Sequence, residues 1–233
     1  MKISKAAPLF LSLILIFFIF TTVKSQDTQD TTDKQDDKIE KSIQVLKDFS
    51  DMKENIPQEL LKVTQGIIVV PKLINAGFVL AGKRGKGIAM VKMEDGTWSN
   101  PVFVTITVGS VGFQIGVQAV DLVLIFKNRE TLQNIGKGSF TLGGDISVTA
   151  GPVGRNSTAS TDYKLEAEVY SYSRSKGLFA GISLGGSAIA VDAKANAAYY
   201  GNDDDAKTIF SDTDADESDA VKELKSTLKG MYE

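Results

Sequence analysis

The sequence predicts an α+β protein, in which a curved, largely antiparallel β-sheet or open barrel carries amphipathic helices at the N-terminus and a short helix at the C-terminus. Three changes of pattern support this prediction. Apolar residues recur every three or four positions after Lys38, short β-branched and alternating runs replace them after Gly66, and helical spacing returns after Asp219. Many short strands separated by glycine are typical of a curved sheet or barrel.

The first 25 residues have the layout of a secretory signal peptide. Lys2 and Lys5 precede an apolar run from Leu9 to Phe20, and Ser25 stands before Gln26 at the expected cleavage site. The run is shorter than the ~20 residues that span a bilayer. We therefore expect an exported protein, periplasmic or secreted, with no cysteine for a lipoprotein anchor. The alternative is an uncleaved signal anchor.

Helical patterns occupy the start of the processed chain. Residues 26–37 are polar without a hydrophobic period, which predicts a flexible linker. One apolar stripe then predicts a helix from Lys38, with its apolar positions at Ile39, Ile43, Leu46, Phe49, Met52 and Ile56. Pro57 ends this helix and suits the first turn of the next one, whose apolar residues are Leu60, Leu61 and Val63.

The sequence pattern in the middle of the chain predicts a series of β-strands. After the run at 67–70, the candidate strands are 77–81, 86–93, 101–108, 111–118, 120–127, 140–149, 163–173, 178–184 and 187–192. Residues 131–137 predict a short helix. We expect one domain over 38–233, composed of a core over 60–202, an acidic segment over 203–219 and a C-terminal helix over 220–230.

Composition excludes several kinds of chemistry. The chain has no cysteine and no histidine, so thiol catalysis, Ser-His-Asp catalysis and zinc sites built from those residues are ruled out. Glu166 and Glu168 would share one side of a strand, as a carboxylate pair for a hydrolase would need, but nothing in the sequence marks a pocket there. We expect no catalytic activity, no cofactor and no small-molecule substrate.

Charge is unevenly distributed along the chain. Residues 60–202 hold 14 basic and 9 acidic side chains, whereas residues 26–59 hold 5 and 10, and residues 203–233 hold 4 and 10. One interpretation is that acidic arms keep the protein soluble, and the other is that the core offers a basic face to an anionic partner. A secreted chain with an isoelectric point of about 5.2 argues against nucleic acid.

Two glycine-containing stretches carry the candidate cations. The first, AGKRGKG at 81–87, reads as a turn that bears Lys83, Arg84 and Lys86. In the second, residues 175–177 read as a hairpin turn whose tip carries Arg174 and Lys176. Neither has the spacing of a nucleotide-binding loop. Each is either an ordinary solvated turn or a contact for an anion, which Lys and Arg bind well.

An acidic pattern near the C-terminus resembles a calcium loop only in part. Asp212, Asp214, Asp216 and Glu223 occupy positions 1, 3, 5 and 12 of the frame, but Glu217 stands where glycine is needed. A solvated acidic linker fits better, so no metal site is predicted. Asn156 begins a glycosylation sequon that has meaning only in a eukaryotic host.

A series of motifs in order resembles the SYLF domain family over about residues 60–230. The matching stretches are GIIVVP at 66–71, AGF at 76–78, GKRGKG at 82–87, GTWSNP at 96–101, GFQIG at 112–116, DLVL at 121–124, AGPVGR at 150–155, TD at 161–162, YSRSKGLFAG at 172–181 and YYG at 199–201. Any one of these motifs is weak, but this many in order make a specific match.

The resemblance implies a lipid-binding module. Eukaryotic members of the family bind phosphoinositides and some bind or bundle actin, whereas bacterial members are exported envelope proteins, and this chain is similar to the exported bacterial branch. An amphipathic N-terminal helix contributes to membrane binding in eukaryotic members. The corresponding helix here departs from that pattern because it is rich in acid, with Asp48, Asp51 and Glu54.

These observations lead to one hypothesis and one alternative. The hypothesis is a non-enzymatic, exported lipid-binding module that contacts anionic phospholipid or another envelope polyanion. The residues expected to make this contact are Lys83, Arg84, Lys86, Arg174 and Lys176, followed by Lys72 and Arg155. Arg155 and Asp162 could equally form a buried structural pair. The alternative is a structural or protein-interaction module of the envelope, with no lipid affinity, which would present an exposed apolar patch or sheet edge instead.

Overall fold

The structure is a computed structural model that describes residues 32–51, 56–76, 82–108, 119–135, 138–152, 165–175, 178–212 and 217–232. The predicted signal peptide, residues 1–25, lies outside this part of the chain. Of the helices in the described ranges, none is both long enough and apolar enough to cross a membrane.

Nine strands form a single curled sheet. They are β1 (Gly66–Ala76), β2 (Gly82–Val91), β3 (Val102–Val108), β4 (Val120–Phe126), β5 (Ser139–Thr141), β6 (Val148–Ala150), β7 (Val169–Ser175), β8 (Leu178–Gly181) and β9 (Ala188–Val191). Their order is β5-β9-β3-β2-β1-β4-β7-β6, with β8 also paired to β7. Every pairing is antiparallel except that of β6 with β7.

In the described ranges, six helices pack around this sheet. They are α1 over 32–50, α2 (Gln58–Lys62), α3 (Arg129–Gln133), α4 (Ala193–Tyr200), α5 (Ala206–Ser211) and α6 (Asp219–Tyr232). The α+β prediction is therefore confirmed: the sheet is curved and largely antiparallel, with helices before and after it. The hairpin predicted at 175–177 is also present, since Ser175 pairs with Leu178.

The sheet is buried on both faces. Ile67 and Val69 belong to one apolar cluster, which α1, α2 and α6 cover, whereas Ile68 and Val70 belong to a second cluster on the other face with residues of α3 and α5. Alternate side chains of a strand point to opposite faces. Burial of both faces therefore explains why β1 and β4 are continuous apolar runs rather than alternating ones.

Helix α1 is longer at its start than the sequence predicts. It already includes residues 32–37, ahead of Lys38, so the second half of the segment predicted as a flexible linker is helical. Its predicted stripe is buried, with Ile39, Ile43, Leu46 and Phe49 at most 4% exposed. The burial of this stripe against the sheet stabilises the helix.

The prediction that AGKRGKG forms a turn is wrong, because residues 82–91 are strand β2. The glycines serve a close approach of two strands. A Cβ atom on Gly87 would lie 2.1 Å from the carbonyl oxygen of Val69, and one on Gly85 would lie 2.5 Å from the Val70 side chain. Glycine inside a strand often marks such a contact.

Two helices and several boundaries differ from the predictions. Helices α4 and α5 are not predicted, and α5 lies inside the segment predicted to be acidic and irregular over 203–219. Helix α3 begins at Arg129 rather than at residue 131, and the strand predicted over 140–149 is two short strands, β5 and β6. The strand predicted over 163–173 starts at Val169. The strands predicted over 77–81 and 111–118 lie outside the described residues.

Candidate functional site

A cleft of about 640 Å³ lies where α1 faces the ends of β1 and β2. We call it the basic cleft, because six of its lining side chains are cationic and one is acidic. The residues that line it are Lys34, Asp37, Lys38, Lys41, Pro71, Lys72, Ile74, Arg84, Gly85 and Lys86. A concave surface lined by one sign of charge concentrates the electrostatic field and attracts ions of the opposite sign.

Helix α1 supplies three of the six cations. Lys34, Lys38 and Lys41 are spaced four and three residues apart, so they share one face of the helix. The ammonium of Lys41 lies 2.5 Å from the Asp37 carboxylate, and that of Lys38 donates to the side-chain oxygen of Gln35 at 2.5 Å. This face is therefore basic, although the helix as a whole is acidic.

Strand β1 brings Lys72 to the cleft through a β-bulge. The pairing register of β1 shifts between Val70 and Leu73 relative to β4, and Lys72 has a φ of 57°, in the left-handed region. The Asp121 carboxylate stabilises the bulge by accepting the Lys72 backbone N–H at 3.1 Å. A non-glycine residue in this conformation is strained, and such strain is commonly found at functional sites.

Arg174 joins this bulge to α1. Its guanidinium nitrogen Nη2 lies 2.5 Å from Asp48 on α1 and 2.9 Å from Asp121 on β4. The side chain is 24% exposed. Arg174 is therefore paired with two carboxylates on one side of the sheet, rather than presented at the tip of a hairpin. Its contacts fix the position of α1 relative to β1.

Three further polar contacts hold α1 in place. Asp36 accepts hydrogen bonds from the hydroxyls of Tyr199 at 3.0 Å and Ser218 at 3.1 Å, and burial raises the pKa of Tyr199 to about 12. At the other end of the helix, Lys47 lies 2.8 Å from Glu223 on α6. Asp36 thus serves the packing of α1, as Asp48 does through Arg174.

Strand β2 places two cations in the cleft and one outside it. Arg84 and Lys86 are exposed on the cleft side, whereas Lys83 alternates to the opposite side, where it is 6% exposed and burial lowers its pKa. The Lys86 ammonium lies 2.8 Å from Asp192. Within the described part of the chain, neither Lys72 nor Arg84 forms an ion pair.

The cations of the cleft influence one another. Burial and the charge of Lys86 lower the pKa of Lys38, against the opposing pull of Asp192 and Asp37. Burial works against ionisation of Asp192, but the hydrogen bond and charge of Lys86 and the Ala195 N–H outweigh it and lower the pKa of Asp192. An added anion in the cleft would reduce the repulsion between the lysines.

The remaining predicted residues fall into two groups. Lys176, Arg155, Asp162, Asn156 and the calcium-frame positions 214 and 216 lie outside the described residues. Glu166 and Glu168 are exposed and precede β7 rather than lying on it. In the described ranges, no group of three or more His, Cys, Asp or Glu residues could hold a metal ion.

A second cleft of about 560 Å³ lies at the other end of β2, beside the rings of Trp98 and Tyr232. Its lysines have partners of their own. Lys92 lies 5.5 Å above the Tyr232 ring, and Lys225 is bound to Glu217 at 2.5 Å and to Asn100 at 3.1 Å. Three lysines and Asp95 line this second cleft, so its excess of cations is smaller than that of the basic cleft.

Comparison with known proteins identifies the family. A sequence profile for the family described as "Ysc84: Las17-binding protein actin regulator" matches residues 107–231, more than half of the chain.

The chain belongs to the Ysc84 family. The match begins near the end of β3 and includes Asp121, Arg174 and all of α6 except its last residue, Tyr232. It confirms the resemblance to the SYLF domain, the domain that these proteins share. The description of the Ysc84 family names an actin regulator that binds Las17, and it names no enzymatic activity.

Three curated members of the Ysc84 family illustrate the relationship. LAS seventeen-binding protein 3 of Saccharomyces cerevisiae is 37% identical over 159 residues, which cover 67% of this chain and 34% of the yeast protein. Protein YSC84 of the same species is 36% identical over 182 residues, covering 73% and 38%. The SH3 domain-containing YSC84-like protein 1 of Xenopus laevis is 36% identical over 171 residues, covering 70% and 51%. The chain thus spans a third to a half of the length of these relatives.

Proposed function

We propose that this Ysc84-family chain is a non-enzymatic module that binds anionic phospholipid, or another polyanion of similar charge density, through the basic cleft. The observation that carries this proposal is the meeting of six cations from α1, β1 and β2 around one cleft with a single lining carboxylate. The cations come from three separate elements, and the packing of α1 on the sheet holds them together.

The energetics favour reversible binding. A basic side chain near an anionic bilayer contributes about 1 kcal/mol, and this contribution decays within a Debye length of ~10 Å at 0.1 M salt. Lys86 is already paired with Asp192, and Lys41 with Asp37. Lys72 and Arg84 are therefore the cations that we expect to contribute most.

We also propose that the chain is exported, as the sequence of residues 1–25 suggests, and that it acts at the envelope. Anionic lipid and acidic envelope polymers are the polyanions available there. The processed protein is expected to begin at Gln26, and mass spectrometry of protein recovered from an expression host with an export pathway gives the observed N-terminus.

Vesicle sedimentation tests the lipid proposal. The processed protein is mixed with vesicles of phosphatidylcholine alone, or with 30% phosphatidylglycerol added, at about 50 mM and about 500 mM salt. We expect sedimentation with the anionic vesicles, much weaker at the higher salt, and little with the neutral ones. Equal binding to both compositions, or to neither, would contradict the proposal.

A second candidate function is protein interaction, which the comparisons favour. The family description names Las17 binding and actin regulation, and one yeast relative is named for binding LAS seventeen. A basic cleft can also receive an acidic protein surface. Failure to bind vesicles, together with sedimentation of the same preparation with purified actin filaments, would favour this candidate over the first.

A further inference from the structure

Exposed apolar side chains are few and unevenly placed. In the described part of the chain, the large apolar residues with the greatest exposure are Val63 at 41%, Ile74 at 54% and Leu178 at 78%. Ile74 lines the basic cleft. Leu178 is the first residue of β8, directly after the hairpin that follows Arg174 and Ser175.

Ile74 and Leu178 lie at the same end of the sheet. The pairing register shows this step by step: Ile74 is opposite Arg84, its neighbour Leu73 is opposite Val120, Asp121 is opposite Arg174, and Ser175 is opposite Leu178. Three strand spacings of about 4.8 Å separate β1 from β8, so the backbones of the two residues lie roughly 14 Å apart. Ile74 is on the face of the sheet that α1 covers, and Leu178, opposite Ser175, is on the other face. We call this end, marked by Lys72, Ile74, Arg84 and Leu178, the rim.

The opposite end of the sheet carries both acidic and basic side chains. Its exposed charged residues include five carboxylates, which belong to Glu94, Asp95, Glu130, Glu166 and Glu168. Val63 also lies at that end, between α2 and the start of β1. Lys62 and the lysines of the second cleft also lie at that end, so its charge is mixed, whereas the four residues that mark the rim include two cations and no carboxylate.

We propose that the rim docks end-on against a bilayer containing anionic lipid, with Ile74 and Leu178 entering the acyl region and Lys72 and Arg84 at the level of the headgroups. This inference rests on the proposed function and adds an orientation and an apolar component to it. Apolar side chains flanked by cations suit the boundary between headgroups and acyl chains. The carboxylates at the far end would be held away from the anionic surface.

Serine substitutions separate the apolar component from the electrostatic one. Because burial of an apolar side chain is not screened by salt, Ile74→Ser with Leu178→Ser should weaken anionic-vesicle binding by at least tenfold, and should also remove the binding that remains at high salt. Val63→Ser makes the same kind of change at the far end, and we expect it to leave vesicle binding unchanged.

Tryptophan placed at each end gives a direct measure of depth. Vesicles whose acyl chains carry bromine should quench the fluorescence of a Leu178→Trp variant. For a Val63→Trp variant, the fraction of fluorescence that is quenched should be the same as for the wild type. The natural Trp98 is 4% exposed and lies at the far end, so it provides a constant background.

The outcomes separate this inference from the function on which it rests. If the wild-type protein showed no preference for anionic vesicles, the proposed function and the inference would both be overturned. Retained preference, with the Ile74 and Leu178 variants binding like the Val63 variant and Leu178→Trp unquenched, would overturn the end-on docking alone.

Discussion

Replacing both Lys72 and Arg84 with glutamate should weaken binding to anionic vesicles by at least thirtyfold at low salt. These two cations line the basic cleft and have no ion-pair partner in the described part of the chain. The loss of two contributions of about 1 kcal/mol each corresponds to a factor of about 30, and the two new carboxylates add repulsion. Quantitative vesicle sedimentation over a range of lipid concentrations measures the effect.

A matched variant controls for net charge. Lys62 and Lys207 are exposed, lie on α2 and α5, and form no ion pair within the described residues. Their double replacement by glutamate changes the net charge by the same amount as the change at Lys72 and Arg84. If both double variants lost the same affinity, binding would follow total charge and the cleft would have no special role.

Substitution of Arg174 by alanine is expected to destabilise the fold by about 2 kcal/mol, which lowers the melting temperature by about 4–8 °C. The guanidinium lies within 2.9 Å of both Asp48 and Asp121, whose side chains are 25% and 19% exposed. Its removal leaves two carboxylates facing each other in a poorly solvated place. The magnitude is below that for a fully buried pair because water reaches the site. Urea unfolding measures the free energy.

Lys41 offers the control for this effect. Its ion pair with Asp37 is also short, at 2.5 Å, but both side chains are at least half exposed and both lie on α1. We expect Lys41→Ala to change the free energy of unfolding by less than about 0.5 kcal/mol. An Arg174→Ala variant that was no less stable than Lys41→Ala would show that the three-residue bridge does not hold α1 to the sheet.

The sequence predicts those helices and strands that can be recognised from the spacing of their own apolar residues. The stripe of α1 and the apolar runs of β1 and β4 are visible because burial requires apolar side chains at fixed spacing. The cluster of cations and glycines at 81–87 has the composition of a turn, yet it is a strand. The glycines are needed because β1, about 15 residues away in sequence, bulges where it packs against them. The pattern of residues within β2 alone does not show that its neighbour is bulged.

The candidate site shows the same limit. Arg84, Lys86 and Lys72 are predicted from the sequence and lie in the cleft, but the sequence does not show that Arg174 is paired, because its two carboxylates come from α1 and β4. The lysines of α1 are missed because the segment as a whole is acidic. Their spacing at Lys34, Lys38 and Lys41 is the signal that could have identified them.

Helices α4 and α5 could have been recognised from their caps rather than from periodicity. Asp192 and Asp205 each accept a hydrogen bond from a backbone N–H of the first turn, and Gly201 ends α4 with a φ of 74°. An aspartate before each helix, and a glycine after α4, are standard signals. The alanine-rich sequence of α4 has no marked apolar stripe, so hydrophobic periodicity does not predict this helix.

Lysine footprinting tests most directly the claim that the basic cleft is the surface that meets anionic lipid. The processed protein is acetylated with and without anionic vesicles that contain no amine lipid, and mass spectrometry compares the reactivity of each lysine. We predict that vesicles protect Lys34, Lys41 and Lys72, which line the cleft, and leave Lys62 and Lys207 unchanged. Protection of Lys92, Lys225 and Lys229 in the second cleft, or equal reactivity at every lysine with and without vesicles, would contradict the account.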